Sequence, residues 1–93
     1  MSAVVIARFD VKDADKFADY MTAARDLACR QGAESIFSGS INRHLHGLEP
    51  LKHALIVRFP DVQAINAWFD SNEYRRLAPL RDAAADMTIV SYG

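Results

Sequence analysis

The sequence predicts an α+β fold in which four strands and two helical segments follow one another in the order β-α-β-β-α-β. Three observations predict it. Short β-branched runs alternate with segments of helical periodicity, the second half repeats the apolar pattern of the first, and the composition is globular. With 93 residues, of which 51% are hydrophobic and 25% charged, we expect a single domain over residues 1–93 with a modest core.

Residues 3–9 begin the chain with a short apolar, β-branched run that is typical of a buried strand. Asp13 suits the N-cap of the helix that follows, and Gly32 suits its left-handed C-terminal stop. Between these two residues, apolar side chains recur at helical spacing along one stripe: Phe17, Tyr20, Met21, Ala24, Leu27 and Ala28.

Residues 34–46 change to the two-residue period of a strand. We expect one face of this strand to lie on the core, and it carries Phe37, Gly39, Ile41 and Leu45. The opposite face carries Ser38, Ser40, Asn42, His44 and His46. Residues 47–52 contain Gly and Pro and predict a loop.

The second half consists of a strand, a helix, two shorter helical segments and a last strand, over residues 53–59, 62–69, 71–77, 80–85 and 87–92. Asp61 caps the helix and Ser71 caps the segment after it. Pro79 breaks or restarts that segment, because it lacks a backbone N–H.

An internal repeat supports this order, since Val5-Ile6-Ala7-Arg8-Phe9 resembles Leu55-Ile56-Val57-Arg58-Phe59. Two βαβ-like halves form the ferredoxin-like arrangement, a four-stranded antiparallel sheet with the first and third strands central and both helices on one face. The helix-free face, here called the open face, then contains Val4, Ile6, Ala54 and Ile56, surrounded by Arg8, Arg58, Asn42, His44 and His46. We expect a homodimer through the open face; the alternative is a monomer with that face solvated.

The charge balance and the cysteine count argue against several classes of protein. A net charge of -1 lacks the basic excess of a nucleic-acid-binding protein. No apolar run approaches the roughly 18–20 residues of a membrane span, and no basic segment precedes an apolar stretch at the start. Cys29 is the single cysteine, so no internal disulfide is expected. We expect a cytoplasmic protein with neither a nucleic-acid nor a membrane partner.

The second half resembles the domain of unknown function 1330 family. The residues that carry the resemblance are His53-Ala54-Leu55-Ile56-Val57-Arg58-Phe59-Pro60, Ala67-Trp68-Phe69-Asp70-Ser71-Asn72-Glu73-Tyr74 and Leu80-Arg81. The resemblance covers roughly residues 39–93 and implies membership of the dimeric α/β-barrel superfamily, in which two ferredoxin-like sheets pack face to face. That superfamily includes cofactor-free monooxygenases, isomerases and haem enzymes. Arg58 replaces a Glu that many members of the family carry.

Two groups of polar residues on the open face are candidate sites. Arg8 and Arg58, on neighbouring central strands, can clamp a carboxylate; the alternative is ion pairing with the partner subunit. His44 and His46 share a face with Asn42, and His53 lies across the loop. These histidines suit proton transfer near neutral pH. Metal binding is less favoured than an interface role, because no carboxylate or cysteine completes a ligand set at a recognisable spacing, and no metal site is predicted.

Trp68, Tyr74 and Arg81 form a third candidate group, with Trp68 and Tyr74 as cavity walls. The alternative is structural: Ser71 caps a helical turn and Arg81 folds back on Asp70 or Glu73. The leading interpretation is a small dimeric protein that binds a small anionic organic ligand without a cofactor, extending to acid–base chemistry on that ligand. The alternatives are a non-catalytic dimeric binding or accessory module and a cofactor-free monooxygenase-like enzyme. The sequence leaves open whether the protein is an enzyme.

Overall fold

The computed structural model describes residues 2–93 and has the predicted order of elements. These elements are β1 (Ala3–Val11), α1 (Ala14–Arg30), β2 (Glu34–Ser40), β3 (His53–Phe59), α2 (Val62–Phe69), α3 (Asn72–Arg75), α4 (Ala78–Ala84) and β4 (Ala85–Tyr92). The strands form one sheet in the order β2-β3-β1-β4, and every neighbouring pair is antiparallel. The predicted ferredoxin-like α+β fold is therefore confirmed, with β1 and β3 at the centre.

The helices begin and end at the predicted signals. The Asp13 carboxylate accepts a hydrogen bond from the Lys16 N–H at 3.1 Å, and the Asp61 carboxylate accepts one from the Ala64 N–H at 2.8 Å. Each bond satisfies an N–H that has no partner within its helix. Gly32 follows α1 with φ at +80°, a conformation that residues with a Cβ rarely adopt. Of the helices within residues 2–93, none is both long and apolar enough to span a membrane.

The second strand is shorter than predicted. It ends at Ser40, and residues 41–52 form an irregular connection to β3. The prediction that Ile41 and Leu45 face the core is therefore wrong, and Leu45 is 80% exposed. Alternation of apolar and polar residues continues beyond residue 40, but strand pairing does not, apart from one bond from the Ile41 N–H to the Lys52 carbonyl oxygen at 2.7 Å. The pattern alone does not show where pairing stops.

The second strand also has a different register from the prediction. A shift between Ser35 and Phe37 places an extra residue in β2, and Phe37 then pairs with Ile56 on the open face. Because side chains alternate along a strand, one extra residue moves the following side chains to the other face. The prediction that Phe37 packs under the helices is therefore wrong.

The core lies between the helices and one face of the sheet. Along β1, buried residues alternate with half-buried ones, as the topology predicts for a strand that has helices on one face. The buried cluster contains Ala3, Val5, Tyr20, Ala24, Ala28, Phe59, Ile65, Trp68 and Tyr74. On the open face, Ile6 pairs with Ile56 on one side and with Val90 on the other. Phe37 and Val90 remain 54% and 40% exposed there.

Candidate ligand cavity beneath the first helix

A cavity of about 80 Å³ lies between α1 and the helix-facing side of the sheet. Small side chains leave this space, because Ala24 and Ala28 are inward residues of α1 and Ala7 is a lining residue of β1. Most other lining side chains are apolar, among them Val5, Leu55, Val57, Met87 and Ile89. An apolar cavity of about 150 Å³ holds benzene. The enclosed space here therefore fits a smaller apolar group or part of a ring.

Polar side chains also line this cavity, and three of them are exposed: Arg25 and Cys29 from α1 and Ser35 from β2. They mark its mouth between α1 and β2. Within residues 2–93, Arg8, Arg30, Arg58 and Arg81 each have an acidic partner, whereas Arg25, Arg43, Arg75 and Arg76 have none. Of these four, Arg25 is the one that lines the cavity. The Arg25 guanidinium can therefore bind an anionic group whose apolar part enters the cavity.

Tyr20 adds a polar group to the cavity wall. Its hydroxyl oxygen lies 2.6 Å from that of Tyr74, and Arg81 Nη1 lies 3.4 Å from the same Tyr74 oxygen. A guanidinium only donates, so the Tyr74 oxygen accepts from Arg81. Tyr74 is 1% exposed, and within residues 2–93 its hydroxyl has no further acceptor besides Tyr20. One hydroxyl of this buried pair therefore donates to the other, and either can be the donor.

The environment of Tyr20 keeps its hydroxyl protonated. Burial, followed by the charge and hydrogen bond of Tyr74, raises the pKa of Tyr20 well above its ordinary value of 10.0. A tyrosine with a raised pKa donates a hydrogen bond at neutral pH and does not act as a base. The cavity wall therefore contains one tyrosine that is protonated at neutral pH.

Arg8 and Arg58 lie on the open face, near opposite ends of the two central strands. Arg8 pairs with Ala54 in the sheet. Four residues of β3, about 13 Å of strand, separate Ala54 from Arg58. Each arginine also has a partner within the chain: Arg8 Nε lies 3.3 Å from Glu49 Oε1, and Arg58 Nη2 lies 2.9 Å from Glu34 Oε1.

Asn42, His44 and His46 all lie in the exposed connection between β2 and β3 rather than on a strand. None of them lines the cavity. His44 Nε2 lies 3.1 Å from the Glu49 carbonyl oxygen, so this nitrogen carries the proton. His53 pairs with Phe9 and stacks on its ring at a centroid distance of 5.4 Å. Phe9 faces the helices, so His53 is on the opposite side of the sheet from Arg8. No group of three or more potential metal ligands occurs within residues 2–93.

Trp68 lines the cavity, and the residues after it hold the helical segment together. The Ser71 hydroxyl accepts from the Tyr74 N–H at 3.1 Å and donates to the Trp68 carbonyl at 2.8 Å. Arg81 Nε lies 3.2 Å from Asp82 Oδ1, so the expected ion pair of Arg81 with Asp70 or Glu73 does not form. The structure thus joins Tyr74 and Arg81 to the cavity indirectly, through Tyr20.

Two residues of the cavity, Tyr20 and Arg25, were not recognised from the sequence as site residues. Tyr20 occupies an ordinary position in the apolar stripe of α1. Its phenol is the signal that was available, because a buried tyrosine hydroxyl usually requires a partner. Arg25 lies on the polar side of the same helix. No sequence signal separates it from the other surface arginines.

A model of the family described as domain of unknown function (DUF1330) matches residues 2–92. The chain belongs to the DUF1330 family. The match extends over both halves of the sequence and so includes residues before 39, which the sequence resemblance did not cover. No curated protein is significantly similar to this DUF1330 chain.

Solved structures with the same fold cover nearly all of the DUF1330 chain. A protein of unknown function from Rhodopseudomonas palustris superposes with a TM-score of 0.80 at 19% identity, over 97% of this chain and 79% of that one. A dimeric ferredoxin-like protein of unknown function from Jannaschia sp. CCS1 gives 0.74 at 14% identity, over 100% and 99%. SnoaB, a cofactor-independent oxygenase from Streptomyces nogalater, gives 0.69 at 12% identity, over 99% and 91%.

Proposed function

We propose that this DUF1330 chain is a homodimeric binding protein that takes a small, anionic organic ligand into the cavity beneath α1. The observation that carries the proposal is an apolar cavity with Arg25, which has no ion pair, at its mouth. The apolar part of the ligand would fill the cavity, and its anionic group would lie against Arg25.

The homodimer is supported by the composition of the open face. Ile6, Ile56, Phe37 and Val90 form a contiguous apolar surface that none of the helices covers. Arg8 and Arg58 flank this surface. Their ion pairs with Glu49 and Glu34 neutralise the two positive charges within one subunit, so a dimer would not bury them unpaired. The Jannaschia structure is described as dimeric, which agrees with this proposal.

An enzymatic role is the alternative, either by proton transfer from His44 or His46 or by cofactor-free oxygenation. The likeness to SnoaB supports a shared fold, but identity is only 12%. Two observations favour binding instead. Neither histidine lines the cavity, and the raised pKa of Tyr20 removes the nearest candidate base.

Calorimetric titration with butanoate and with butan-1-ol tests the ligand proposal, because the two probes share an apolar tail and differ in charge. We expect butanoate to bind more tightly, by roughly three- to tenfold, or about 0.6–1.4 kcal/mol. Arg25→Gln should abolish this difference, while Arg76→Gln, an exposed control outside the cavity, should preserve it. Equal binding of both probes to the unmodified protein, or loss of the difference in the control alone, would contradict the proposal.

Native mass spectrometry of protein purified without added ligand supplies a second test. It measures the number of subunits and the mass of any retained small molecule in one spectrum. A dimer carrying one small acid per subunit is the expected species.

A further inference from the structure

A second cavity lies on the other side of Trp68. It has a volume of about 170 Å³, and its polar lining residues are Asn66, Asp70 and Ser91. We call it the outer cleft. Val5, Trp68 and Ile89 line both the outer cleft and the cavity beneath α1. The two spaces are therefore neighbours with a shared wall.

Trp68 is the part of this wall that comes from a helix rather than from the sheet. Val5 and Ile89 belong to strands whose positions are fixed by the hydrogen-bonded sheet. Trp68 extends from α2, and its indole N–H donates to the Ala24 carbonyl oxygen at 3.2 Å. This is the one hydrogen bond that the indole can donate. The indole also packs against the rings of Phe59, Phe69 and Tyr74. Rotation of the indole would leave the backbone in place, and a bound ligand would have to replace these contacts and the hydrogen bond.

We infer that Trp68 is a gate that joins the outer cleft to the cavity beneath α1 when a ligand larger than either space binds. The inference rests on the proposed binding of small acids beneath α1. That cavity alone is smaller than the roughly 150 Å³ that holds a single ring. The combined volume of the two spaces approaches roughly 300 Å³, the volume of the smallest ordinary ligand pockets.

The polar residues at the two ends define the class of ligand. Arg25 at the mouth beneath α1 suits a carboxylate, whereas Asp70 in the outer cleft repels a second anion. The space between them is lined by apolar and aromatic side chains. The ligand class that fits is a monocarboxylic acid with two fused rings, whose far ring is uncharged.

Trp68 also reports on its own movement, because it is the single tryptophan of the chain. Decalin carboxylate is a suitable probe, since it has two fused rings and no fluorescence of its own. Butanoate is the matched small acid that fits beneath α1 alone. We expect decalin carboxylate, but not butanoate, to shift the tryptophan emission of the unmodified protein.

Trp68→Phe provides the affinity test, because phenylalanine is smaller and lacks the N–H that bonds to Ala24. It should raise the affinity for decalin carboxylate at least about fivefold more than it changes the affinity for butanoate. If Trp68→Phe does not fold, Trp68→Leu replaces it in the same measurement. Phe17→Leu is the control, because Phe17 lines neither space. Two results would show that Trp68 is not a gate while leaving the proposed binding site beneath α1 intact. In the first, butanoate binds and decalin carboxylate does not. In the second, both bind, but the Trp68 variants do not change the affinity for decalin carboxylate. If neither acid binds, the binding function itself is overturned.

Discussion

The hydroxyl oxygens of Tyr20 and Tyr74 lie 2.6 Å apart in the core, although 54 residues separate them in the sequence. This contact joins α1 to α3, and Arg81 extends it towards solvent by donating to the Tyr74 oxygen. The two rings pack edge to face with centroids 6.4 Å apart. A polar pair in such surroundings stabilises the fold only while both partners are present.

The two single variants together should therefore lose more stability than the double variant loses. We expect Tyr20→Phe and Tyr74→Phe each to lower the free energy of unfolding by about 1–3 kcal/mol. Tyr74→Phe leaves the buried Tyr20 hydroxyl unpaired, and Tyr20→Phe leaves the Tyr74 hydroxyl with Arg81 alone. The double variant should lose less than the sum of the two, by about 1 kcal/mol or more. Urea unfolding of the four proteins measures this coupling. Additive losses would show that the hydroxyls do not interact.

The raised pKa of Tyr20 predicts a loss of stability at alkaline pH. Below about pH 10, Tyr20 is protonated in both the folded and the unfolded chain and contributes no pH dependence. Above that pH the unfolded chain releases this proton and the folded chain retains it, so stability falls by up to about 1.4 kcal/mol per pH unit. Unfolding between about pH 9 and pH 11 should show a shallower decline for Tyr20→Phe. Identical slopes would place the pKa of Tyr20 near its ordinary value.

Local signals in the sequence were sufficient for the order of elements and for the caps at Asp13, Asp61 and Ser71, because these depend on neighbours a few residues away. The face of Phe37 was not predictable, since one extra residue in β2 reverses it and no residue type marks the shift. The cavity was not predictable either. It depends on Ala7, Ala24 and other small side chains meeting across two elements, and periodicity records only that these residues are apolar.

If the open face is the dimer interface, one charged side chain introduced at its centre should dissociate the dimer. Val90 is 40% exposed and pairs with Ile6 at the centre of that face, so Val90→Glu should leave the fold intact and bury a carboxylate in the interface. We expect sedimentation equilibrium to show a dimer for the unmodified protein and a monomer for this variant. Ala18→Glu, on the exposed side of α1, is the control and should remain dimeric. A monomeric unmodified protein would exclude this interface.

Ala28→Leu tests whether the cavity is the ligand site, because it should stabilise the protein and prevent ligand binding. Ala28 is 6% exposed and lines the space beneath α1, so three added carbon atoms enter that space rather than solvent. Filling an apolar cavity typically raises stability by about 0.5–2 kcal/mol, and we expect the lower end because the mouth is open. Binding of butanoate should disappear in the same variant, because the leucine occupies the volume that the ligand tail requires.

Thermal unfolding and calorimetric titration measure these two effects on one sample, and Ala18→Leu controls for added apolar surface on α1. Ala18 is exposed, so its variant should bind butanoate as the unmodified protein does. A more stable Ala28→Leu that still binds butanoate would place the ligand elsewhere. A folded but less stable variant would show that the cavity walls cannot accept the leucine without strain. Only a gain in stability together with a loss of binding supports the assignment of this cavity as the ligand site.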